Sequence, residues 1–511
     1  MSNKHSSLDA LFADIADAIR EKIGDTGTIP AVEFPNMIIN NLEISPRYLT
    51  FSSPDSFTLA VSDATKHWDG TLEYSTDTSA WSTWDGTTTL SSATSGTNNV
   101  LYLRGIKNTV ITGTGKKLKW ALTGSNISCI GNIEDLLDYS TVASGQHPTM
   151  ADYCYYEMFK GCTGLIQAPA LSATTLTNYC YSEMFYGCTS LTQAPTLPAT
   201  TLTNYCYYSM FSGCTSLTKA PILPATILAI CCYRSMFKGC TSLTKAPTLP
   251  ATALVGYCYS EMFSGCTSLT QAPALPAITL ANDCYEAMFL DCASLTQAPA
   301  LPATTLKDYC YRSMFYGCTG LIKAPALPAT TLSAYCYQRM FEGCTSLTQA
   351  PTLPATTLAE YCYSEMFYGC TGLTQAPTLP ATTLVIWCYQ RMFYGCTGLT
   401  KAPALPATTL ADNCYHEMFK GCTSLTQVPA LPATTLTNYC YYSMFYDCRS
   451  LKVSSTKTGE YTIAYRIPTI GTGTTATLSL GSMFTSTVGT FSGTPEINTT
   501  YYLSNTNTVV S

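Results

Sequence analysis

The feature that most constrains this chain is a cysteine pattern that returns every 26 residues. One series of cysteines runs from Cys154 to Cys440, and a second series, from Cys162 to Cys448, follows it eight residues later. The twelve copies contain no insertion. A period of this length is typical of solenoid repeats and is too short for a propeller blade. One unit is too small to bury a core of its own, so the repeats must stack.

Each repeat is predicted to contain a short helix and one or two short strands. In the copy that spans 179–204, the segment Tyr-Cys-Tyr-x-x-Met-Phe contains no glycine or proline, and Cys180 and Met184 are four residues apart. This spacing favours one or two helical turns, which Gly187 is expected to end. Pro195 and Pro198 suit the corners of a coil because proline lacks an amide hydrogen. Residues 191–194 and 200–202 are predicted to be short strands.

Comparison of the twelve copies separates a predicted core from a predicted surface. Both cysteines, the tyrosine after the first cysteine, the methionine and the phenylalanine occur in every copy. We expect these residues to form buried columns in which each stacks on its own kind. The residues before the first cysteine and after the phenylalanine vary, and we expect them to be exposed and to carry any binding function. They include Tyr179, Cys231, Asp283, Trp387 and Asn413 before the cysteine, and Lys160, Tyr186, Ser212, Leu290, Glu342, Tyr368 and Tyr394 after the phenylalanine.

Aromatic residues give the favoured ligand-binding candidate. Tyr368 and Tyr394 hold the same position in adjacent copies, and Trp387 lies seven residues before Tyr394, which on a helix is nearly the same face. Tyr361 holds the corresponding place one copy earlier. An exposed plate of these four rings would suit sugar faces or a protein partner. The alternative is that tyrosine is simply common in this repeat and that the rings only cover the helices.

Charged residues give two further expectations. The residue before the methionine alternates in sign over four consecutive copies, in the order Arg339, Glu365, Arg391, Glu417. Stacked copies would place these opposite charges side by side. Glu157 and Glu183 instead bring like charges together, at a spacing of ~5 Å that also suits a retaining glycosidase. The favoured interpretation is that both carboxylates point into solvent.

Nothing else in the sequence indicates catalysis, and we expect a protein that is not an enzyme and uses no metal or other cofactor. The cysteines are eight residues apart and only His416 lies in the repeats, which argues against zinc. Because the chain begins without a signal peptide, we expect buried free thiols made in a reducing compartment. Only 11% of residues are charged and the net charge is −6, which argues against nucleic acid. No apolar stretch is long enough to insert into a membrane.

The predicted fold class is α+β and modular: an N-terminal helical module, a solenoid of twelve 26-residue coils, and small all-β domains on either side. The predicted domains are a helical module at 1–44, an Ig-like β-sandwich at 45–126, the solenoid at 127–452 and a C-terminal β-domain or cap at 453–511. Within the solenoid, 127–152 are expected to cap the repeats at 153–452. The exposed tryptophans of the sandwich are candidates for binding, although its core is expected to claim one or two of Trp68, Trp81 and Trp84.

The N-terminal module carries an apolar stripe on a predicted helix at 7–23. This stripe needs a partner, either another copy or a larger assembly. The candidate assembly residues are Leu8, Leu11, Phe12, Ile15 and Ile19.

Two segments carry resemblances to known families. The string MFYGCTSLTQAPTLPATTL resembles the BspA-like class of leucine-rich repeat, with its Phe-x-Gly-Cys-x-x-Leu signature. That resemblance implies a right-handed solenoid used for attachment on bacterial and viral surfaces, and rarely a catalyst. The string ADIADAIREKIGDTGTIPAVEFPNMI, at 13–38, resembles a module near the N-termini of tailed-phage structural proteins. There the module is thought to help join an accessory protein to the particle. The alternative is a plain helical hairpin for oligomerisation.

The resemblances imply a phage virion accessory protein, a fibre or decoration protein that attaches the particle to a bacterial surface glycan or protein. It would be made in the host cytoplasm and join other virion proteins through its N-terminal module, or form a homo-oligomer. The alternative is a BspA-like adhesin on the bacterial cell surface. The least favoured function is a glycan-cleaving spike with Glu157 and Glu183 as its only candidate acids.

Overall fold

The computed structural model describes residues 48–63, 65–112 and 119–510. The predicted N-terminal helix, with Leu8, Leu11, Phe12, Ile15 and Ile19, lies outside the described residues. The first described part contains nine strands and then the helix α1, Asp135–Ala143. The strands are β1 Leu49–Ser53, β2 Thr58–Val61, β3 Thr71–Ser75, β4 Ser82–Trp84, β5 Leu90–Ser91, β6 Ala93–Ser95, β7 Asn98–Ile106, β8 Trp120–Thr123 and β9 Ile127–Ile130.

These strands form two sheets around an apolar core. The smaller sheet has the order β5-β2-β8, and the larger contains β9-β1-β7-β3-β4 with β6 also paired to β7. Three tryptophans meet in the core: the ring of Trp84 lies 5.1 Å from that of Trp68 and 5.6 Å from that of Trp120. Trp68 and Trp84 are buried, which agrees with the expectation that the core claims one or two of the three tryptophans, since a small sandwich fills its interior with its largest apolar rings. Trp81 is half-buried, 4.0 Å below the Arg104 guanidinium.

The helix predicted in each repeat is wrong, because this segment is a run of consecutive turns. The amide of Met184 bonds to the carbonyl of Tyr181, three residues earlier, at 3.3 Å. The amide of Tyr181 instead donates to the carbonyl of Cys206, in the next copy, at 3.0 Å. Along this segment, every second amide donates to a carbonyl three residues earlier and closes a turn, and the amides between them donate to the next copy. An α-helix would instead direct all of these amides to carbonyls four residues earlier.

Left-handed backbone angles explain why this segment cannot be a helix. Tyr179, Glu183 and Gly187 have φ values of +58°, +55° and +71°. A positive φ at every fourth residue interrupts a right-handed helix before one turn is complete. The sequence prediction failed because a spacing of four fits both a helix and turns that recur every four residues. In the described part of the chain, α1 is the one helix.

The strands predicted in the repeats are reduced mostly to single parallel bridges. Gln193 pairs with Lys219, and Thr201 pairs with Ile227, each at one residue. Two short strands do form, β10 at Leu165–Gln167 and β11 at Gln427–Pro429, near the two ends of the stack. The prolines that flank the bridges have no amide to donate, which prevents longer ladders.

The predicted buried columns are confirmed. The rings of Tyr155 and Tyr181 are stacked at 5.4 Å, and those of Phe159 and Phe185 at 5.6 Å. Cys188 donates its Sγ hydrogen to the carbonyl of Phe159 in the preceding copy, at 3.0 Å, and the same bond recurs down to Cys448. All 26 cysteines lie within the described residues and are buried free thiols, which confirms the prediction for the 24 cysteines of the two series.

The sandwich closes the first end of the stack by making the hydrogen bonds that a preceding repeat would make. Trp120 donates its amide to the carbonyl of Met158 at 2.8 Å and accepts the Cys162 thiol at 3.3 Å. Within the stack, a phenylalanine makes both of these contacts. The large sheet also continues into the repeats, because β9 pairs with β1 on one side and with β10 on the other. The edge of the first repeat is therefore satisfied by hydrogen bonds from the sandwich.

The other end is closed by five more strands and by an additional run of turns. The strands are β12 Lys452–Ser454, β13 Tyr461–Arg466, β14 Val488–Gly489, β15 Thr500–Ser504 and β16 Thr508–Val510. Four of them form a sheet with the order β13-β15-β12-β14, and β16 pairs with β11. The additional run of turns lies between β13 and β14. Phe445 of the last copy donates its amide to the carbonyl of Met483 in this run at 3.0 Å, and its ring stacks on Phe484 at 5.8 Å. This run was not predicted, although Ser-Met-Phe at 482–484 repeats the motif outside the 26-residue register.

Candidate binding face of the repeat stack

The outer side of the turn run presents four columns of variable residues. We name them by position in the repeat: the pre-Cys column, the post-Tyr column, the pre-Met column and the post-Phe column. Together they form the variable face. The same turns direct the invariant cysteine, tyrosine, methionine and phenylalanine inward, where they are almost fully buried. Each outward side chain therefore lies beside the equivalent side chain of the neighbouring copies.

The variable residues are less exposed than the sequence predicted. Most are half-buried, including Trp387 and Tyr394, and Tyr186 is exposed. Ser212, Cys231 and Asp283 are buried, so the expectation of exposure is wrong for these three. The reason is the close repeat spacing, since a small side chain is covered by larger neighbours above and below it.

The pre-Cys column is largely a stack of aromatic rings. Tyr309, Tyr335 and Tyr361 are separated by 4.6 and 4.7 Å between ring centroids, and Trp387 follows Tyr361 at 5.7 Å. Their planes differ by no more than 12°. Stacked rings cover one another's faces, so this part of the column presents ring edges and hydroxyl groups to solvent.

The predicted plate of four rings is split into two pairs. Tyr361 stacks on Trp387, and Tyr368 stacks on Tyr394 at 4.5 Å in the post-Phe column. No ring contact joins the two pairs within the described residues, and Arg391 follows Trp387 and precedes Tyr394 along the turn run. The expected common face depended on a helix, which is absent from this segment. A flat plate is therefore not the geometry by which these four residues could meet a ligand.

The predicted alternation of charge in the pre-Met column is confirmed. Arg339 Nε lies 2.5 Å from Glu365 Oε2, and Arg391 Nε lies 2.6 Å from Glu417 Oε2. Arg391 also reaches Glu365 at 3.5 Å, so the ion pairs form a continuous ladder. Burial acts to raise the pKa of Glu417, but hydrogen bonds from Lys420 and Arg391 outweigh it and hold the pKa below its usual value.

The two carboxylates considered for glycoside hydrolysis share one lysine. Lys160 Nζ lies 2.9 Å from Glu157 Oε1 and also bonds to Glu183. Glu157 is buried, so the expectation that both carboxylates point into solvent is wrong. The ammonium compensates both charges, which favours a structural role for the three side chains over an acid–base pair.

Two further searches concern metals and membranes. Across 48–63, 65–112 and 119–510, no group of three or more His, Cys, Asp or Glu side chains is placed to hold a metal ion. Within the same ranges, no helix has the length and apolar character needed to span a membrane.

The fold and its variable face define a stacked repeat protein with an invariant interior. Six copies of the model for the BspA type leucine rich repeat region match the chain, over residues 149–296, 233–364 and 336–465. These ranges cover more than half of the chain, and the protein belongs to the BspA-type leucine-rich repeat family. Repeats of this family suggest a role in surface adhesion or binding. A comparison with curated proteins gives no match. The tailed-phage resemblance at 13–38 stays a prediction.

Proposed function

We propose that this protein is a non-enzymatic adhesion protein whose variable face binds a ligand on a bacterial surface. The observation that supports this proposal most strongly is that the residues of the turn run differ between copies on its outer side and not on its inner side. Inward positions are identical in all twelve copies, whereas the outward pre-Cys column contains Tyr, Trp, Cys, Asp and Asn. Packing accounts for the constant side. A turn run that is constant on its inner side and variable on its outer side is suited to recognition on the outer side.

The dimensions of the face suit a repetitive ligand. Twelve coils at the observed ring spacing of 4.6 Å would give a face roughly 50 Å long. The face contains the ring edges of the pre-Cys column and the ion pairs of the pre-Met column. Weak contacts repeated over such a length add through avidity when the ligand also repeats, as capsule and cell-wall glycans do.

The finer proposal is a virion accessory protein, a fibre or decoration protein of a tailed phage whose predicted N-terminal module joins it to other virion proteins. Its support is the resemblance at 13–38. The second candidate is an adhesin on a bacterial cell surface, supported by the repeat family. Immunoelectron microscopy of a producing culture distinguishes them, because a virion protein decorates particles and an adhesin decorates cells.

Adhesion is tested by the binding of the labelled full chain to a panel of intact bacteria. We expect saturable binding that the triple variant Tyr368→Ala, Trp387→Ala, Tyr394→Ala reduces. A matched triple variant at the other end of the stack, Tyr153→Ala, Tyr179→Ala, Tyr186→Ala, separates a local binding site from general loss of aromatic surface. Failure of the folded wild-type chain to bind any member of the panel would contradict the proposal.

A further inference from the structure

In the pre-Cys column, a ring lacks a stacked neighbour where the column of rings is interrupted. Eight of the twelve copies place tyrosine in the pre-Cys column, and Trp387 is a ninth aromatic residue. The three remaining positions are Cys231, Asp283 and Asn413, and each lies between copies that carry a ring. At these three gaps, a ring that would otherwise be covered by its neighbour has one face without a stacked partner.

Two of the three gaps are filled by the protein itself. Beside Asp283, the Arg312 guanidinium lies over the Tyr309 ring at 5.6 Å. The Arg234 guanidinium lies over the Tyr257 ring at 5.1 Å. Cys231 and Asp283 are both buried beneath these contacts. In each of these two gaps, an arginine covers one of the wall rings that a ligand would otherwise meet.

The third gap, at Asn413, differs in its walls. Trp387 lies on one side and Tyr439 on the other, and both are half-buried, as is Asn413 itself. His416, from the post-Tyr column of the same copy, contacts both walls, with its ring 5.9 Å from Trp387 and 6.4 Å from Tyr439. No cation lies over Trp387 or Tyr439 among the described residues, in contrast to Tyr257. We call this place the Asn413 gap.

The backbone holds the Asn413 gap at a fixed width. Asn413 donates its amide to the Asn438 carbonyl at 2.9 Å, and Trp387 donates to the Asp412 carbonyl at 3.2 Å. The Asp412 carboxylate accepts both the amide and the side-chain nitrogen of Asn438, at 3.0 and 3.1 Å. Trp387 and Tyr439 are two copies apart, so at 4.6 Å a copy their rings are separated by roughly 9 Å. One ring fits between them at the spacing of the protein's own stacks.

The polar groups in the gap indicate the kind of ring. His416 Nδ1 is buried and has no hydrogen-bond partner within the described residues, and Asn413, whose side chain carries an amide, precedes His416 by three residues in the same copy. An aromatic side chain would leave these groups unsatisfied, which is costly once the gap is closed. A pyranose ring has C–H groups on its faces and hydroxyl groups on its rim, and it matches both the aromatic walls and the polar groups of Asn413 and His416.

We propose that the Asn413 gap is a subsite that binds one hexopyranose ring of a bacterial glycan between Trp387 and Tyr439. This inference rests on the proposed adhesion function and adds to it the class of ligand and the place of contact. Asn413 and His416 bond to the hydroxyl groups of the sugar. The paired Arg391 and Glu417 beside the gap remain engaged with each other.

The Asn413 gap can be filled with the residue type that most other copies carry at the same position. Asn413→Tyr installs the side chain that eight other copies carry at this position, so the stack should tolerate it. Asp283→Tyr makes the equivalent change at a gap that is already filled, and is the matched control. The probe is an array of purified bacterial capsular polysaccharides, O-antigens and peptidoglycan fragments, read with the labelled full chain. Thermal unfolding of each variant checks the fold.

We expect Asn413→Tyr to weaken glycan binding at least about tenfold, and Asp283→Tyr to leave it unchanged. Trp387→Ala, which removes one wall, should also weaken binding and provides a second test if Asn413→Tyr does not fold. Equal binding by wild type and Asn413→Tyr would overturn the subsite. Binding to intact cells without binding to any arrayed glycan would overturn the subsite and leave adhesion standing. Loss of both kinds of binding in the folded wild type would remove both proposals.

Discussion

The inner and outer sides of the same turn run follow opposite rules. Phe289 on the inner side stacks between two identical phenylalanines, at 5.7 and 5.6 Å. Tyr335 on the outer side also stacks between two rings, at 4.6 and 4.7 Å. The inner column contains phenylalanine in every copy, whereas the outer column changes from copy to copy. The stacking distance therefore does not explain why the inner residue is the same in every copy. Enclosure on all sides explains it, because a buried site tolerates neither a cavity nor an unpaired polar group.

The largest expected difference between the two sides is in thiol reactivity. Burial raises the pKa of Cys258 and Cys310 to about 12, which reduces the reactive thiolate at pH ~8 by about a thousandfold relative to a free cysteine. We expect the inner cysteines to react with a thiol reagent only after unfolding. Tyr186→Cys, at an exposed outer position, should react at once. Rapid labelling of the native wild-type chain would show that the inner columns open.

Truncation of equivalent rings should separate the two sides by stability. Phe289→Ala leaves a cavity in an enclosed column and should lower the free energy of unfolding by about 3–5 kcal/mol. Tyr335→Ala removes a half-buried ring from an outer stack and should cost about 1 kcal/mol. Denaturant unfolding, with hydrogen exchange to localise the change, measures both. Similar losses for the two variants would remove the distinction between inner and outer stacking.

One outer carboxylate is expected to make stability depend on pH. Burial raises the pKa of Glu342 to about 7, although Arg339, whose Nε is 3.6 Å away, acts to lower it. The folded protein therefore holds a proton that the unfolded chain releases near pH ~4.3. Stability should fall as the pH rises from about 4.5 to about 7, by about 1–2 kcal/mol after allowance for solvent screening. Denaturant midpoints across this range for wild type and Glu342→Gln test this, and an equally steep wild-type slope in the variant would contradict it.

The charge ladder should give the smallest effect. Arg391→Ala removes the cation between Glu365 and Glu417, but the arginine side chain is 37% exposed, so the loss should be about 1 kcal/mol or less. Arg391→Lys keeps the charge and should recover part of it. High salt should reduce the difference between wild type and Arg391→Ala. A loss as large as that of Phe289→Ala would show that the outer side is as constrained as the inner one.

The repeat period was sufficient to predict much of this structure. It identified the buried columns, including those of the cysteines, and the pairing of Arg339 with Glu365, because equivalent residues must stack when repeats stack. The same reasoning grouped Tyr361 with Trp387 and Tyr368 with Tyr394. It could not determine how the two pairs lie relative to each other, since that depends on the backbone within the repeat.

The amino-acid sequence by itself determined the period, the interior and the family, because these depend on residue identity at a fixed interval. The tertiary structure decided the rest. Turns replaced the helix because half of the amides donate to carbonyls in the next copy, 25 residues along the chain, where local spacing gives no signal. Trp120 took the place of a repeat phenylalanine at one end, and Phe484 did so at the other. Asn413 became a gap only because hydrogen bonds between copies hold Trp387 and Tyr439 on either side of it.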